Sequence, residues 1–401
     1  MSEVVSIPQL RFPEFRDEWR VDKFVDLCKF QQGVQVDVEL QSTEPKNNFL
    51  RFLRIENYTQ KSNDFRYIPK ELSSNKSITE NEIAIVRYGA TAGYIGRGLK
   101  GVLANNLFKL VLNKDTLDTD YLFHLLRSYK TFCFFQSEMS GGAMPALSFG
   151  IVGALKLPYS SISEQQKIAA FLTVVDNKIE QLSKKQELLG EYKKGLMQQI
   201  FSQAIRFKAD DGCDFPDWEE KSLGELFNYK NGGSFENEVV KDGLYNLITL
   251  NSITIDGELK NEHKKINSFD NSLKINDLIM VLSDVAHGNF LGLTAIIPED
   301  NSYVLNQRMG ALKSKGLNNV VFLRLLINYN QKYFKLHGQG SSQQNLSKGD
   351  ILKFELLLPN RNEQQKIANF LSSIDTKIEQ VGKQLDESKQ FKKALLQQMF
   401  V

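Results

Sequence analysis

Residues 163–182 read SEQQKIAAFLTVVDNKIEQL, and residues 362–381 read NEQQKIANFLSSIDTKIEQV. Overlaid without a gap at an offset of 199, residues 164–201 and 363–400 agree at 20 of 38 positions. The match reaches beyond the block. Trp19 pairs with Trp218, Gly33 with Gly232 and Leu147-Ser148 with Leu346-Ser347 at the same offset, and Leu157-Pro158 pairs with Leu358-Pro359 two residues out of step. Between these anchors the copies diverge. The chain therefore repeats one plan, a variable segment followed by a nearly constant tail.

Each tail carries a heptad. In the first copy Ile168, Val175, Leu182, Leu189 and Leu196 fall seven apart, with Leu172 and Ile179 in the companion positions. In the second copy the series is Ile367, Ile374, Val381 and Leu395, with Leu371, Ile378 and Leu385 beside it. A 3.5-residue apolar period held this long predicts a coiled-coil seam. Ser163 reads as the first N-cap, with Gln166 three residues on. Gln186, Lys193, Ser388 and Lys392 interrupt the seams, and polar seam residues trade stability for register. The simplest partner for each helix is its own duplicate, and connectivity favours the antiparallel arrangement. A helix of ~38 residues spans roughly 57 Å.

The expected fold is α+β: two similar mixed α/β domains separated by two long helices that form an antiparallel coiled coil with pseudo-two-fold symmetry. The expected boundaries are 1–158 for the first domain, 159–203 for the central helix, 204–359 for the second domain and 360–401 for the last helix. A chain of 401 residues is long enough for more than one core. No apolar run approaches a membrane span and the first residues lack a signal-peptide core, so a cytoplasmic protein without a membrane partner is expected. Cys28, Cys133 and Cys213 and the four histidines are scattered, which predicts neither disulfides nor a metal site.

Net charge becomes informative once it is located. Residues 1–157 carry 20 basic and 18 acidic side chains, and residues 204–358 carry 17 and 20, so neither variable segment is basic in bulk. Yet Ile83–Lys114 contains no acid while holding Arg87, Arg97, Lys100, Lys109 and Lys114. Asn301–Gly349 is likewise acid-free and holds Arg308, Lys313, Lys315, Arg324, Lys332, Lys335 and Lys348. One such window per copy predicts a polyanion-facing surface. The expected strands Glu82–Tyr88 and Asp277–Ser283 lead into glycine-bearing loops, and helices are expected from Asp120 and from Val320. Loops at 87–109 and 140–148 would then read DNA in the first domain, and loops at 283–292, 306–313 and 337–348 in the second. The candidate DNA-binding residues are Arg87, Tyr88, Thr91, Arg97, Lys100, Asn105 and Lys109 in the first copy. In the second they are Ser283, His287, Asn289, Gln307, Arg308, Lys313, Ser341, Gln343, Gln344 and Asn345. Their amides and hydroxyls suit base edges, and the Arg and Lys side chains suit phosphates.

Catalytic motifs are missing. No Pro-Pro loop that could grip a target amine occurs, and there is no G-x-x-x-x-G-K-[ST] for ATP. GYIGRG at 93–98 lacks the strand–helix context of a cofactor loop, and PDWEEK at 216–221 does not spread its acids over successive strands as a nuclease metal site would. No catalytic constellation is expected.

The blocks E-Q-Q-K-I-A-x-F-L…D-x-K-I-E-Q (Glu164 to Gln181, Glu363 to Gln380) carry a resemblance. So do the K-K-x-L-x-Q-Q-x-F ends (Lys193 to Phe201, Lys392 to Phe400) and F-P-D-W at Phe215–Trp218. Over essentially its whole length the chain resembles the specificity subunit of type I restriction-modification enzymes. The first copy departs at its entry, reading FPEFRDEW. The resemblance implies a non-catalytic subunit with two target recognition domains, each binding half of a bipartite asymmetric site in double-stranded DNA. It implies helices that set the gap between the halves. It also implies recruitment of two adenine-methylating subunits and two motor-endonuclease subunits. S-adenosylmethionine, ATP and Mg²⁺ would sit on those partners, and no cofactor on this chain. The other reading open from sequence is a two-headed coiled-coil scaffold that does not bind DNA.

Overall fold

A computed structural model describes residues 7–74, 76–139, 145–270, 273–285 and 288–400. Two helices dominate, Ile162–Phe201 and Arg361–Met399. The chain divides into two compact units, residues 1–185 with 381–401, and residues 186–380. The division cuts both long helices in the middle instead of separating helices from domains. Each unit holds one variable segment, half of its own tail helix and half of the other.

In the first unit Ile168 and Leu172 share a core with Leu395, Met399 and Phe400, so the start of one helix lies beside the end of the other. In the second unit Ile200 shares a core with Ile367, Leu371 and Ile374. Both arrangements are antiparallel. All the seam residues are buried or half-buried, as the heptad requires. The lysines that interrupt the seams are ion-paired: Lys193 with Asp375 in the second unit, and Lys392 with Asp176 in the first. These pairs are duplicates at the 199 offset.

Other duplicated contacts tie each helix start to its domain. Arg11 donates to both oxygens of Glu164 at 2.7 and 2.8 Å, and Arg206 to both oxygens of Glu363 at 3.1 and 2.8 Å. Both carboxylates are fully buried. Trp19 packs edge-on against Tyr121 as Trp218 does against Phe322. The copies differ at one atom here. Trp218 Nε1 donates to Glu363 at 3.2 Å, whereas Trp19 Nε1 is buried without an acceptor among the described residues.

The N-cap expected at Ser163 is corrected. The helix already begins at Ile162, the Ser161 carbonyl accepts from Gln165 N at 3.0 Å, and the Ser163 hydroxyl faces that of Ser161. At the equivalent place in the second copy the Asn360 side chain caps Glu363 N at 3.0 Å. The helices expected from Asp120 and Val320 are each two helices. Thr119–Leu126 gives way to Tyr129–Glu138 because Ser128 caps a new first turn. Val320–Tyr329 gives way to Gln331–His337 at Asn330, whose backbone and side-chain N–H groups both donate back to Leu326.

The two variable segments build corresponding sheets. In the first unit Cys28–Gln32, Leu107–Leu112, Ala84–Val86 and Ile95–Gly96 form an antiparallel sheet in that order. Its counterpart in the second unit is Phe227–Asn231, Met309–Ser314, Leu278–Val281 and Thr294–Ile296. A second sheet in each unit contains one parallel pair, Phe49–Leu53 with Gly101–Leu103 and Tyr245–Ile248 with Tyr303–Leu305. The central strands run shorter than the sequence expectation, because backbone bonds from Arg87 and Leu282 leave the ladder for the neighbouring turns.

One buried titratable group separates the copies. His124, 1% exposed, lies 3.7 Å from Asp176 through Nδ1 and 3.2 Å from Thr173 Oγ1 through Nε2. Burial lowers its pKa to about 4. Asp176 opposes that shift, while Lys392, Arg97 and Arg127 add to it. Between about pH 6.5 and 4 the unfolded chain therefore binds a proton that the folded chain refuses. Stability should fall with acid across that window by up to about 3 kcal/mol. Counting from the paired caps Asp118 and Asn319, the second copy has Leu325 at this position. His124→Leu should flatten the acid loss, which urea midpoints at pH 7 and pH 4.5 will measure. Equal losses in both proteins would mean that the histidine is not its source.

Candidate nucleic-acid interface

In the second unit the turn at Asn306–Arg308 is held from two sides. Gly232 N donates to Met309 O at 3.0 Å, Gly233 N to Leu305 O at 2.9 Å, and Leu282 N to Arg308 O at 3.0 Å. A Cβ on Gly232 would lie 2.0 Å from the Asn306 carbonyl oxygen, so only glycine permits this approach. Beside the turn, Ser283–Val285 pairs with Gln343–Asn345. The result is a polar cleft of about 480 Å³. Tyr229, Asn231, Ser283, Gln307, Arg308, Gln343, Asn345 and Lys348 line it, and none of its lining residues is acidic. Gln343 Nε2 donates to Ser283 Oγ at 2.6 Å. Burial raises the Tyr229 phenol to about 12, so it stays neutral and donates to Asn231 Oδ1.

The first unit repeats the backbone of this arrangement. Gly33 N donates to Leu107 O at 2.9 Å, Val34 N to Leu103 O at 2.8 Å, and Arg87 N to Asn106 O at 2.8 Å. Tyr88 bridges Ala146 as Ser283 bridges Asn345. Leu147 N and Leu346 N donate to the Arg87 and Leu282 carbonyls, each at 2.8 Å. The side chains on this shared backbone are unlike. In the first unit Arg87 Nη1 donates to Gln32 Oε1 at 2.8 Å, Gln32 Nε2 to Asn105 O at 2.8 Å, and Asn105 Nδ2 to Gln35 Oε1 at 3.2 Å. The Arg87 guanidinium also lies over the Tyr88 and Phe149 rings at 4.9 and 4.5 Å.

The candidates from sequence thus separate. Ser283, Gln307, Arg308, Gln343 and Asn345 converge on one cleft, and Arg87, Tyr88 and Asn105 on its counterpart. Three of the candidate cations are neutralised within their own domain: Arg97 by Asp120, Lys109 by Glu82 at 2.8 Å and Lys313 by Asp277 at 3.3 Å. Thr91, Lys100 and Ser341 are exposed outside the cluster, and the Asn289 side chain accepts from Lys335. Gln344, between two cleft residues on a strand, turns to the other face. His287 and residues 140–144 lie outside the described residues. Gln32, Tyr229 and Asn231 join these surfaces and were not among the candidates, and Lys348, named only as a cation of the second acid-free window, lines the cleft as well. Gln32 and Asn231 immediately precede the matched glycines Gly33 and Gly232, which is the signal that could have found them.

Among the described residues no helix is long and apolar enough to cross a membrane, and no cluster of His, Cys, Asp and Glu is poised for a metal ion.

The family model described as type I restriction modification DNA specificity domain matches twice, at residues 16–189 and 216–387. The chain belongs to that family, whose members supply specificity and not catalysis. It is 27% identical over 412 residues to the type I restriction enzyme MjaVIII specificity subunit of Methanocaldococcus jannaschii, covering 96% of this chain and 92% of that one. The fold matches that of the type I restriction-modification S subunit from M. genitalium, with TM-score 0.63, 18% identity and 99% of each chain covered. A second match, to a chain from a study of type I assembly and conformational transition, has TM-score 0.57 and 16% identity, covering 95% of this chain and 97% of that one.

Proposed function

We propose that this chain reads a bipartite, asymmetric site in double-stranded DNA, one half per domain, and that its two long helices set the gap between the halves. It recruits two adenine-methylating subunits and two motor-endonuclease subunits, which carry S-adenosylmethionine, ATP and Mg²⁺, and holds no cofactor itself. One observation carries the reading: two backbone-equivalent polar surfaces bear unlike side chains, Gln32, Arg87, Tyr88 and Asn105 against Asn231, Ser283, Gln307 and Arg308. Equivalent frames suit two similar tasks, and unlike hydrogen-bonding groups suit different base sequences. A scaffold unrelated to DNA has no need of that pattern.

Co-expression with compatible methylating subunits, followed by genome-wide mapping of methylated adenine, should return one motif with two unlike halves. Inserting a heptad-breaking segment near Gln186 should change the gap and leave both halves intact. A constant gap would refute the spacer role, and the absence of any sequence-selective methylation would refute the DNA reading.

A further inference from the structure

Building on that DNA-reading function, we infer that Arg308 reads a guanine in the half-site taken by the second domain, and that the first domain has no counterpart to it. Arg308 is exposed at the cleft, and its side chain makes no hydrogen bond or ion pair among the described residues. The equivalent turn of the first domain places Asn106 there, since the carbonyls of Asn106 and Arg308 accept the matching bonds from Arg87 N and Leu282 N. The first domain's own arginine is engaged otherwise. Arg87 is hydrogen-bonded to Gln32 and covered by two aromatic rings, so it props a row of carboxamides instead of facing solvent freely.

Three features favour a base over a phosphate as the partner of Arg308. Its turn is clamped by backbone bonds from Gly232, Gly233 and Leu282, which limits the motion of its Cα. Its neighbours Gln307, Gln343 and Asn345 carry the carboxamides that recognise base edges. Gln343 has its Nε2 committed to Ser283 and Asn345, leaving Oε1 to accept from an exocyclic amine. A guanidinium in such company can span O6 and N7 of guanine with two parallel bonds from a rigid fork, where an ammonium would have to reach both from a single nitrogen on a flexible stem.

Arg308→Gln and Arg308→Lys chains, each co-expressed with the methylating subunits, test this through the mapped motif. Arg308→Gln should turn one G·C position of one half-site degenerate, lowering the preference there by about tenfold or more, and Arg308→Lys should lower it less. The other half-site and the gap should not change. Uniformly weaker methylation with every base preference kept, restored by Lys, would make Arg308 a phosphate contact and overturn the inference, as would degeneracy at an A·T position. Should Arg308→Gln fail to assemble, Arg308→Ala decides in its place, because full guanine preference in that variant overturns the inference. If the parent chain yields no bipartite motif, the underlying function fails instead, before any variant is compared.

Discussion

An Arg11→Leu chain is expected to lose about 3–5 kcal/mol of folding stability at neutral pH, and more than an Arg206→Leu chain loses. The reason lies in what each substitution leaves behind. Glu164 and Glu363 are both fully buried at the starts of their helices, and each binds its arginine through two oxygens. The carboxylate in turn holds the Arg11 guanidinium above its usual range. Removing Arg206 leaves Glu363 with the Trp218 Nε1 donor. Removing Arg11 leaves Glu164 without that help, because Trp19 Nε1 makes no hydrogen bond among the described residues. An ion pair of this kind is weak support for net stability, but a buried charge stripped of its partner is strongly unfavourable. Denaturant titration followed by tryptophan fluorescence suits the question, since Trp19 and Trp218 report one unit each. A loss below about 1 kcal/mol for Arg11→Leu, or a larger loss for Arg206→Leu, would contradict this account.

Gly232→Ala should have the second large effect, and it should be confined to one reader. The added methyl meets the carbonyl oxygen and carbon of Asn306 at 2.0 and 2.4 Å and the Leu305 oxygen at 2.7 Å. These are main-chain atoms in a bonded turn, so no side chain can swing aside. Relief requires moving the turn that carries Gln307 and Arg308. Overpacking of this kind costs about 1–3 kcal/mol, and displacing the reading groups should weaken discrimination at the second half-site at least tenfold while sparing the first. Gly33→Ala, whose methyl would lie 2.2 Å from the Ala104 oxygen, should do the reverse. Methylation mapping of both variants separates the outcomes. Equal damage to the two half-sites would show that these glycines serve general stability and not a local frame.

The long helices were legible because two independent signals coincided, a heptad and a duplicate. Ser163 misled because a capping residue is recognised by its type, whereas the helices actually start from Ser161 and Asn360, two residues before Ser163 and its equivalent Asn362. The candidate surfaces were only half legible. An acid-free window is a statement about one stretch of chain, but Lys109 finds Glu82, and Lys313 finds Asp277, on segments that only the fold brings near. Gln32 and Asn231 escaped for the same reason in reverse. They end polar strands outside both windows and reach the site by antiparallel pairing with Phe108 and Gly310.

The duplicated frame has a consequence for descent. Its bonds run from backbone to backbone, Arg87 N to Asn106 O here and Leu282 N to Arg308 O there, so they survive whatever side chain occupies the position. Asparagine and arginine, or arginine and leucine, already stand at matched places in two working copies. If these surfaces read DNA as proposed, mutation can therefore alter what is read with little threat to folding, and selection can try new recognition sites one residue at a time without first repairing the protein that carries them.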